Sequence, residues 1–264
     1  METSNLYLGL MKRALSNYLY WGGDTPFEHF EVGDFFHPGP EVRLKVPEIF
    51  KPHSLLATPK LNALHGYMYD IVMNKVPGDF IEAGIYRGGT TIFMRAFLKV
   101  YDIKDRLVWA ADSFEGIPKS DKYAHINDPV DDWEDRFSAG YEEVEATFKR
   151  YDLLDNQVRF VKGFFAEALP QAPIEQLALA RLDADSYEST MDALEQLYPK
   201  MSPGGYVVID DWHIETCRRA VQDYRDKHGI TEPVHFVLGI KDEHAGYEAF
   251  WRVAGKSSNP VSDQ

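Results

Sequence analysis

Gly205-Tyr206-Val207-Val208-Ile209-Asp210-Asp211 is an apolar run that ends on two carboxylates. Leu177-Ala178-Leu179-Ala180-Arg181-Leu182-Asp183-Ala184-Asp185 sets out the same arrangement earlier in the chain. Each run reads as a strand buried on both faces, so the pair delivers four acidic side chains to two strand ends. In open α/β sheets, ligands bind at that edge. Carboxylates gathered there repel one another unless a cation joins them, and a hard divalent ion with oxygen ligands answers that need. A plainer possibility stands beside it: Asp210 or Asp211 caps a helix starting near Ile214, and Asp183 and Asp185 open a turn.

Working outward, strand and helix patterns alternate. Strands are predicted at 79–84, 107–113, 158–162, 178–183 and 205–210, and helices at 90–101, 141–151, 187–200 and 214–228. Segments 234–238 and 247–253 suit a terminal hairpin. This alternation predicts an α/β fold, a doubly wound and mostly parallel sheet with an antiparallel pair at one edge. Upstream lie an amphipathic helix over 5–20, with Leu8, Met11, Leu15 and Leu19 on one stripe, and another from Pro59 to Asn74. Between them, 21–57 is rich in aromatic residues, glycine and proline, which argues against simple disorder and suggests a segment ordered by docking. The expected division is 1–57, a helix with a lid or oligomerisation segment; 58–254, the main domain; and 255–264, a polar tail.

Composition is that of a globular protein, 44% hydrophobic and 27% charged, with a formal net charge of −14. Such an acidic chain is a poor ligand for a phosphate backbone or an anionic membrane, so neither nucleic acid nor membrane is an expected partner. Its single cysteine, Cys217, falls in a helical pattern and suits a buried structural thiol. No apolar stretch approaches a membrane span, and the first residues lack a signal-peptide pattern. The expected location is cytoplasmic.

The first strand of the alternation runs into Phe80-Ile81-Glu82-Ala83-Gly84-Ile85-Tyr86-Arg87-Gly88-Gly89-Thr90-Thr91. Its glycines mark a turn where backbone approaches something closely. The dinucleotide fingerprint is absent, because Glu82 stands at its first glycine position. An acidic residue there suits a ligand with a positive amino group. The second strand ends on Asp112-Ser113, and an acidic residue at that point can accept hydrogen bonds from both ribose hydroxyls. Together the two turns imply a nucleoside bearing an amino-acid tail, S-adenosylmethionine. Without Asp112, a tight strand–helix turn with no ligand explains the glycines as well.

At this point a family resemblance appears. Val76–Asp79, Glu82–Gly89, Ala111–Ile117, Tyr151–Asp155, Val158–Phe160, Arg181–Tyr187, Ser202–Gly205 and Asp210-Asp211 stand in the order found in the macrocin O-methyltransferase family, and residues 58–253 resemble it throughout. The resemblance implies a class I, metal-dependent methyltransferase with a Rossmann-like seven-stranded sheet, acting on a sugar hydroxyl of a natural product such as a glycosylated polyketide. It further implies that Glu82 and Gly84 flank the methionine part of the cofactor, with Tyr86, Gly88 and Thr90 from the same turn. Asp112 would bind the ribose with Ser113 beside it, and Gly163, Phe164 and Phe165 would lie near the adenine. Asp183, Asp210 and Asp211 would bind Mg2+, Asp183 also bordering the cofactor, and Asp185 would be the general base. His213, where the family commonly has another sequence, is a second catalytic candidate, a substrate contact or a helix N-terminal residue. Segment 239–246 is longer than the family's usual link. A homo-oligomer, dimer or tetramer, is implied as well. Two other classes compete: an Asp-x-Asp metal enzyme such as a glycosyltransferase or phosphatase, and a non-catalytic partner that keeps the fold.

Overall fold

Runs of apolar residues become the middle of a seven-stranded sheet in the computed structural model, which describes residues 2–17, 19, 52–133, 137–237 and 248–255. The helix α1 (Glu2–Leu15) comes first, then α2 (Thr58–Met73), β1 (Asp79–Ala83), α3 (Gly89–Val100) and β2 (Val108–Asp112). Next are α4 (Tyr141–Arg150), β3 (Val158–Lys162), a single-turn helix α5 (Phe165–Ala168) and β4 (Leu177–Leu182). The chain continues through α6 (Tyr187–Leu197), β5 (Met201–Ile209), α7 (Glu215–His228), β6 (His235–Val237) and β7 (Glu248–Arg252). Every residue of β4 is buried, as are Phe80–Ala83 of β1 and Val108–Ala111 of β2, which is the pattern of strands covered on both faces.

The strand order is β3-β2-β1-β4-β5-β7-β6. β1 to β5 pair in parallel, and β7 runs antiparallel between β5 and β6. The expected antiparallel edge is therefore present. Its last strand is inserted, not appended, because Tyr206–Ile209 of β5 pair with Ala249–Arg252 of β7. The chain winds outward from β1 to β3, then returns to the other side of β1 for β4. Between β1 and β4 the order reverses, and the crevice outside such a point is where open α/β sheets take their ligands.

Two apolar layers cover the sheet. One joins α1, α2, α3 and α4 around Phe80, Val108 and Val208; the other joins α6 and α7 around Ile81, Trp109 and Val207. Leu8, Met11 and Leu15 of α1 lie within the first layer, so this helix shares the main core. Leu19, expected on the same stripe, is 49% exposed, because α1 ends at Leu15 and Asn17 turns to positive φ. The Leu15 carbonyl then accepts the N–H groups of His53 and Ser54. The single turn of α5 and the two 3-10 turns at Ala124–Ile126 and Pro129–Trp133 carry no periodic pattern long enough to foresee. Most of the expected lid, the long link at 239–246 and nearly all of the tail lie outside the described residues. Among those described, no helix is long and apolar enough to cross a membrane.

Candidate active site

Register fixes the site. Ala83, Leu182 and Ile209 form one row across β1, β4 and β5. The next residue of each strand continues the ladder: Asp183 N–H donates to Ala83 O at 2.8 Å and Asp210 N–H to Leu182 O at 2.9 Å. Gly84 N–H donates to Ala111 O at 2.9 Å on the other side. Gly84, Asp183 and Asp210 thus emerge side by side at the reversal of strand order.

Three carboxylates meet there. Asp183, Asp185 and Asp211 each offer an oxygen, and these oxygens lie within 4.8 Å of one another. The turn is bent to achieve this. Asp185 adopts the left-handed conformation (φ 55°), and its N–H donates to Asp211 Oδ2 at 3.1 Å. Burial, and then the neighbouring carboxylates, push the Asp185 and Asp211 groups well above the usual carboxylate range. The observed set differs from the expected metal set in one member: Asp185 stands in the cluster and Asp210 does not. Asp210 Oδ1 is drawn to Lys60 Nζ (3.0 Å) and Arg181 Nη2 (2.6 Å). Those two cations outweigh its burial and hold its carboxyl below the usual range.

Beneath the cluster lies a buried charge network. Arg181 is fully buried in β4; its Nη1 donates to Glu82 Oε1 (2.6 Å) and Asp183 Oδ2 (2.9 Å). Thr91 Oγ1 donates to the other oxygen of Glu82. Burial lifts Glu82 to about 7. Glu248 of β7 is likewise lifted to about 7 by burial and then by Asp210, with Tyr67 O–H donating to it at 3.3 Å. Four carboxylates, Glu82, Asp183, Asp210 and Glu248, thus face two cations, Arg181 and Lys60. Neither Lys60 nor Glu248 gave any sign in the sequence; Arg181 did, as the one charge inside an otherwise apolar strand.

The expected cofactor residues occupy the same edge with partners of their own. Asp112 Oδ2 accepts the N–H groups of Ile85 (2.7 Å) and Tyr86 (3.3 Å), and Oδ1 accepts Phe114 N–H (2.7 Å) and Ser113 O–H (3.5 Å). A carboxylate has about four acceptor positions, so a ribose would have to share or displace the two long bonds. The one hydroxyl proton of Ser113 is better placed for Gly116 O at 2.7 Å, closing its own turn, than for the long contact to Asp112. Thr90 is buried, its hydroxyl bonded to that of Ser54 at 2.9 Å. Gly84 (φ 88°) is required by packing, since a Cβ there would fall on the Asp183 carbonyl oxygen. Gly88 faces Val144 and Phe148 of α4 for a similar reason. Gly163 N–H donates to Asp112 O (2.9 Å), Phe164 is 38% exposed, and Phe165 starts α5 against the second core layer.

The capping alternative does not hold. α7 has Ile214 at its N-cap with no side-chain bond, and Ser186 caps α6 by accepting Ser189 N–H. His213 therefore precedes the helix instead of opening it. Burial, followed by Lys60, lowers its pKa, and its Nδ1 is buried with no hydrogen-bond partner.

The seven-stranded sheet, with its crevice at the reversal, is the fold of the class I S-adenosylmethionine-dependent methyltransferases. Residues 45–247 match the family described as Macrocin-O-methyltransferase (TylF), and the chain belongs to that family. It is 40% identical over 266 residues to an 8-demethyl-8-(2,3-dimethoxy-alpha-L-rhamnosyl)-tetracenomycin-C 4'-O-methyltransferase of Streptomyces olivaceus, covering 98% of this chain and 97% of the relative. It is also 40% identical over 239 residues to the mycinamicin III 3''-O-methyltransferase of Micromonospora griseorubida, with 87% and 91% coverage. Among solved structures it is similar to the O-methyltransferase NovP, with a TM-score of 0.80, 35% identity, and 96% of this chain and 100% of that one covered. The protein is accordingly an O-methyltransferase, which removes the glycosyltransferase, phosphatase and non-catalytic alternatives.

Proposed function

We propose that the protein methylates a sugar hydroxyl of a glycosylated natural product, with S-adenosylmethionine as donor and a divalent ion, Mg2+, at the carboxylate cluster. The observation that carries this is the gathering of Asp183, Asp185 and Asp211 at the reversal of strand order, while among the described residues the cations Arg181 and Lys60 pair with Glu82, Asp183 and Asp210. The donor set is all oxygen, which suits a hard ion, and the excess of acid suits a ligand with a positive sulfonium and amino group.

S-Adenosylmethionine, when bound, supplies a methyl group on a positively charged sulfur. A divalent ion, when bound, supplies a positive charge that acidifies the acceptor hydroxyl. Asp183 and Asp211 belong to both the expected and the observed set and are its natural holders. Asp210 is the third: its two cation contacts fall on Oδ1, and the same cations keep it ionised. Asp185 has no ion pair or hydrogen bond to its carboxylate among the described residues, so it is free to take the hydroxyl proton. A divalent ion on the neighbouring carboxylates would lower the pKa of Asp185, so Asp185 would be a weak base alone and the ion's charge would supply most of the acidification of the hydroxyl. Asp112 holds the Ile85-Tyr86 backbone against the cofactor side, and Phe164 offers an exposed ring for the adenine. His213 borders the acceptor side as a contact, its lowered pKa keeping the ring neutral.

The sugar assignment rests on the relatives, whose names specify a rhamnosyl tetracenomycin, mycinamicin III and demethyldecarbamoylnovobiocin. Incubating the enzyme with S-adenosylmethionine, Mg2+ and each of these three glycosides should yield a singly methylated product from at least one, and Asp211→Ala should yield none. Methylation of aglycones only would overturn the sugar assignment. A homo-oligomer is also proposed, supported by Leu6 (68%) and Leu10 (48%) exposed on α1. Light scattering should give the mass of a dimer or tetramer; a monomer would refute it.

A further inference from the structure

Asp128 sits in the acidic insertion between β2 and α4 and is 4% exposed. Its Oδ2 accepts Tyr187 N–H, the first residue of α6, at 2.7 Å. Its Oδ1 accepts the hydroxyl of Thr216, in the first turn of α7, at 2.8 Å, and Val130 N–H of its own loop at 3.1 Å. The turn before α6 carries Asp183 and Asp185; the turn before α7 carries Asp210 and Asp211. One carboxylate therefore bridges the starts of the two helices that follow both acidic turns.

We infer that Asp128 is a positioning residue, whose bridge between α6 and α7 sets the spacing of the Asp183–Asp185 turn against the Asp210–Asp211 turn. The inference rests on the reading that these turns line the reactive site. Three features support it. The α7 N-cap, Ile214, offers no side-chain bond to its own helix, and the contact of that end with the insertion is made through the Thr216 hydroxyl. A negative charge at two helix N-termini is favourable for both. The bond from Asp185 N–H to Asp211 Oδ2 crosses the two turns directly, so their spacing decides whether the carboxylates stay gathered. Other α6–α7 links are Tyr187 to Asp223 and Thr190 to Cys217, the latter also between the first turns of the two helices but through a long contact to sulfur at 3.4 Å. Asparagine cannot replace the bridge: its oxygen can face Tyr187 N–H or Val130 N–H, but its amide then meets the other donor.

The test compares wild type, Asp128→Asn, Asp128→Ala and Thr216→Val as full chains. Mn2+ affinity is read by electron paramagnetic resonance, S-adenosylhomocysteine affinity by calorimetry, and amide exchange by mass spectrometry. Asp128→Ala should weaken Mn2+ binding about 10- to 100-fold, the usual effect of losing a partner that orients ligands. Exchange should quicken in peptides covering both turns, 182–190 and 209–217, while S-adenosylhomocysteine affinity holds. Asp128→Asn should fall between Ala and wild type. If only the insertion exchanges faster, with Mn2+ affinity and both turns unchanged, the inference is overturned. Should Asp128→Ala fail to fold, Thr216→Val removes one arm alone; quicker exchange in 209–217 with weaker Mn2+ binding supports the bridge, and no change in either overturns it. Absence of Mn2+ binding by wild type would instead count against the metal proposal, and the exchange of the two turns alone would then decide the role of Asp128.

Discussion

Asp185 and Asp210 divide the work of the site by what surrounds them. Asp210 is held ionised by Lys60 and Arg181, whereas half-buried Asp185 lies beside other carboxylates and pairs with no cation among the described residues. Asp185→Asn should therefore retain Mg2+ and cofactor while lowering the methylation rate by about 10²–10⁴, the range for a lost general base. Asp210→Asn should lose the ion. If instead Asp185→Asn abolishes Mg2+ binding in a calorimetric titration, Asp185 is a ligand and the base must be sought elsewhere, His213 first. Glu248 carries a second consequence. Its folded pKa of about 7 exceeds the ordinary 4.5, so between these values the folded protein keeps a proton that the unfolded chain releases. Stability is then fully present below pH 4.5 and falls as pH rises toward 7, by on the order of 3 kcal/mol at most at about 1.4 kcal/mol per unit. Glu248→Gln should lessen this slope in urea unfolding series, with Glu82 supplying a like share of what remains; an unchanged slope would place the proton on another group. Lys60 and Glu248 are not legible in the sequence, because Lys60 meets Asp210 across 150 residues and no local pattern announces such a pairing.

Strands and turns were more open to reading. The apolar runs of β1, β2 and β4 have no polar face to hide, so their positions and the acidic residues just beyond them could be foreseen. The glycines of the first turn were foreseen for a partly different reason. Gly88 makes room for Val144 and Phe148, and Gly89 for His53, so packing alone already accounts for the absence of side chains at these two positions. Gly84 lies where both demands meet. A methyl there would strike the Asp183 carbonyl in a backbone conformation that alone costs an L-residue about 1–2 kcal/mol. Gly84→Ala should lower unfolding free energy by at least that amount and weaken Mn2+ binding by displacing the Asp183 turn. Wild-type Mn2+ affinity in a destabilised Gly84→Ala protein would mean that the two turns are not mechanically joined. Boundaries such as the early start of β5 at Met201 escaped notice because Pro203 and Gly204 interrupt the apolar pattern, while the pairing of Leu177 with Met201 carries the strand through them.

For the whole molecule, winding direction decides where chemistry occurs. Because β4 returns to the far side of β1, the ends of β1, β4 and β5 lie adjacent, and residues far apart in the chain share one crevice. The N-terminal helix belongs to this body, with Leu8 and Leu15 buried beside Phe93 and Phe97 in one cluster. The central claim is that the carboxylates at that crevice hold a divalent ion on which methyl transfer to oxygen depends. Its most direct measurement is the initial rate of methyl transfer from S-adenosylmethionine to an accepted glycoside, taken in excess EDTA and again after Mg2+ is added back beyond the chelator. The account expects turnover to vanish with EDTA and return with Mg2+, and Asp211→Ala to stay silent in both. Full turnover in EDTA, with Asp211→Ala as active as wild type, would contradict it.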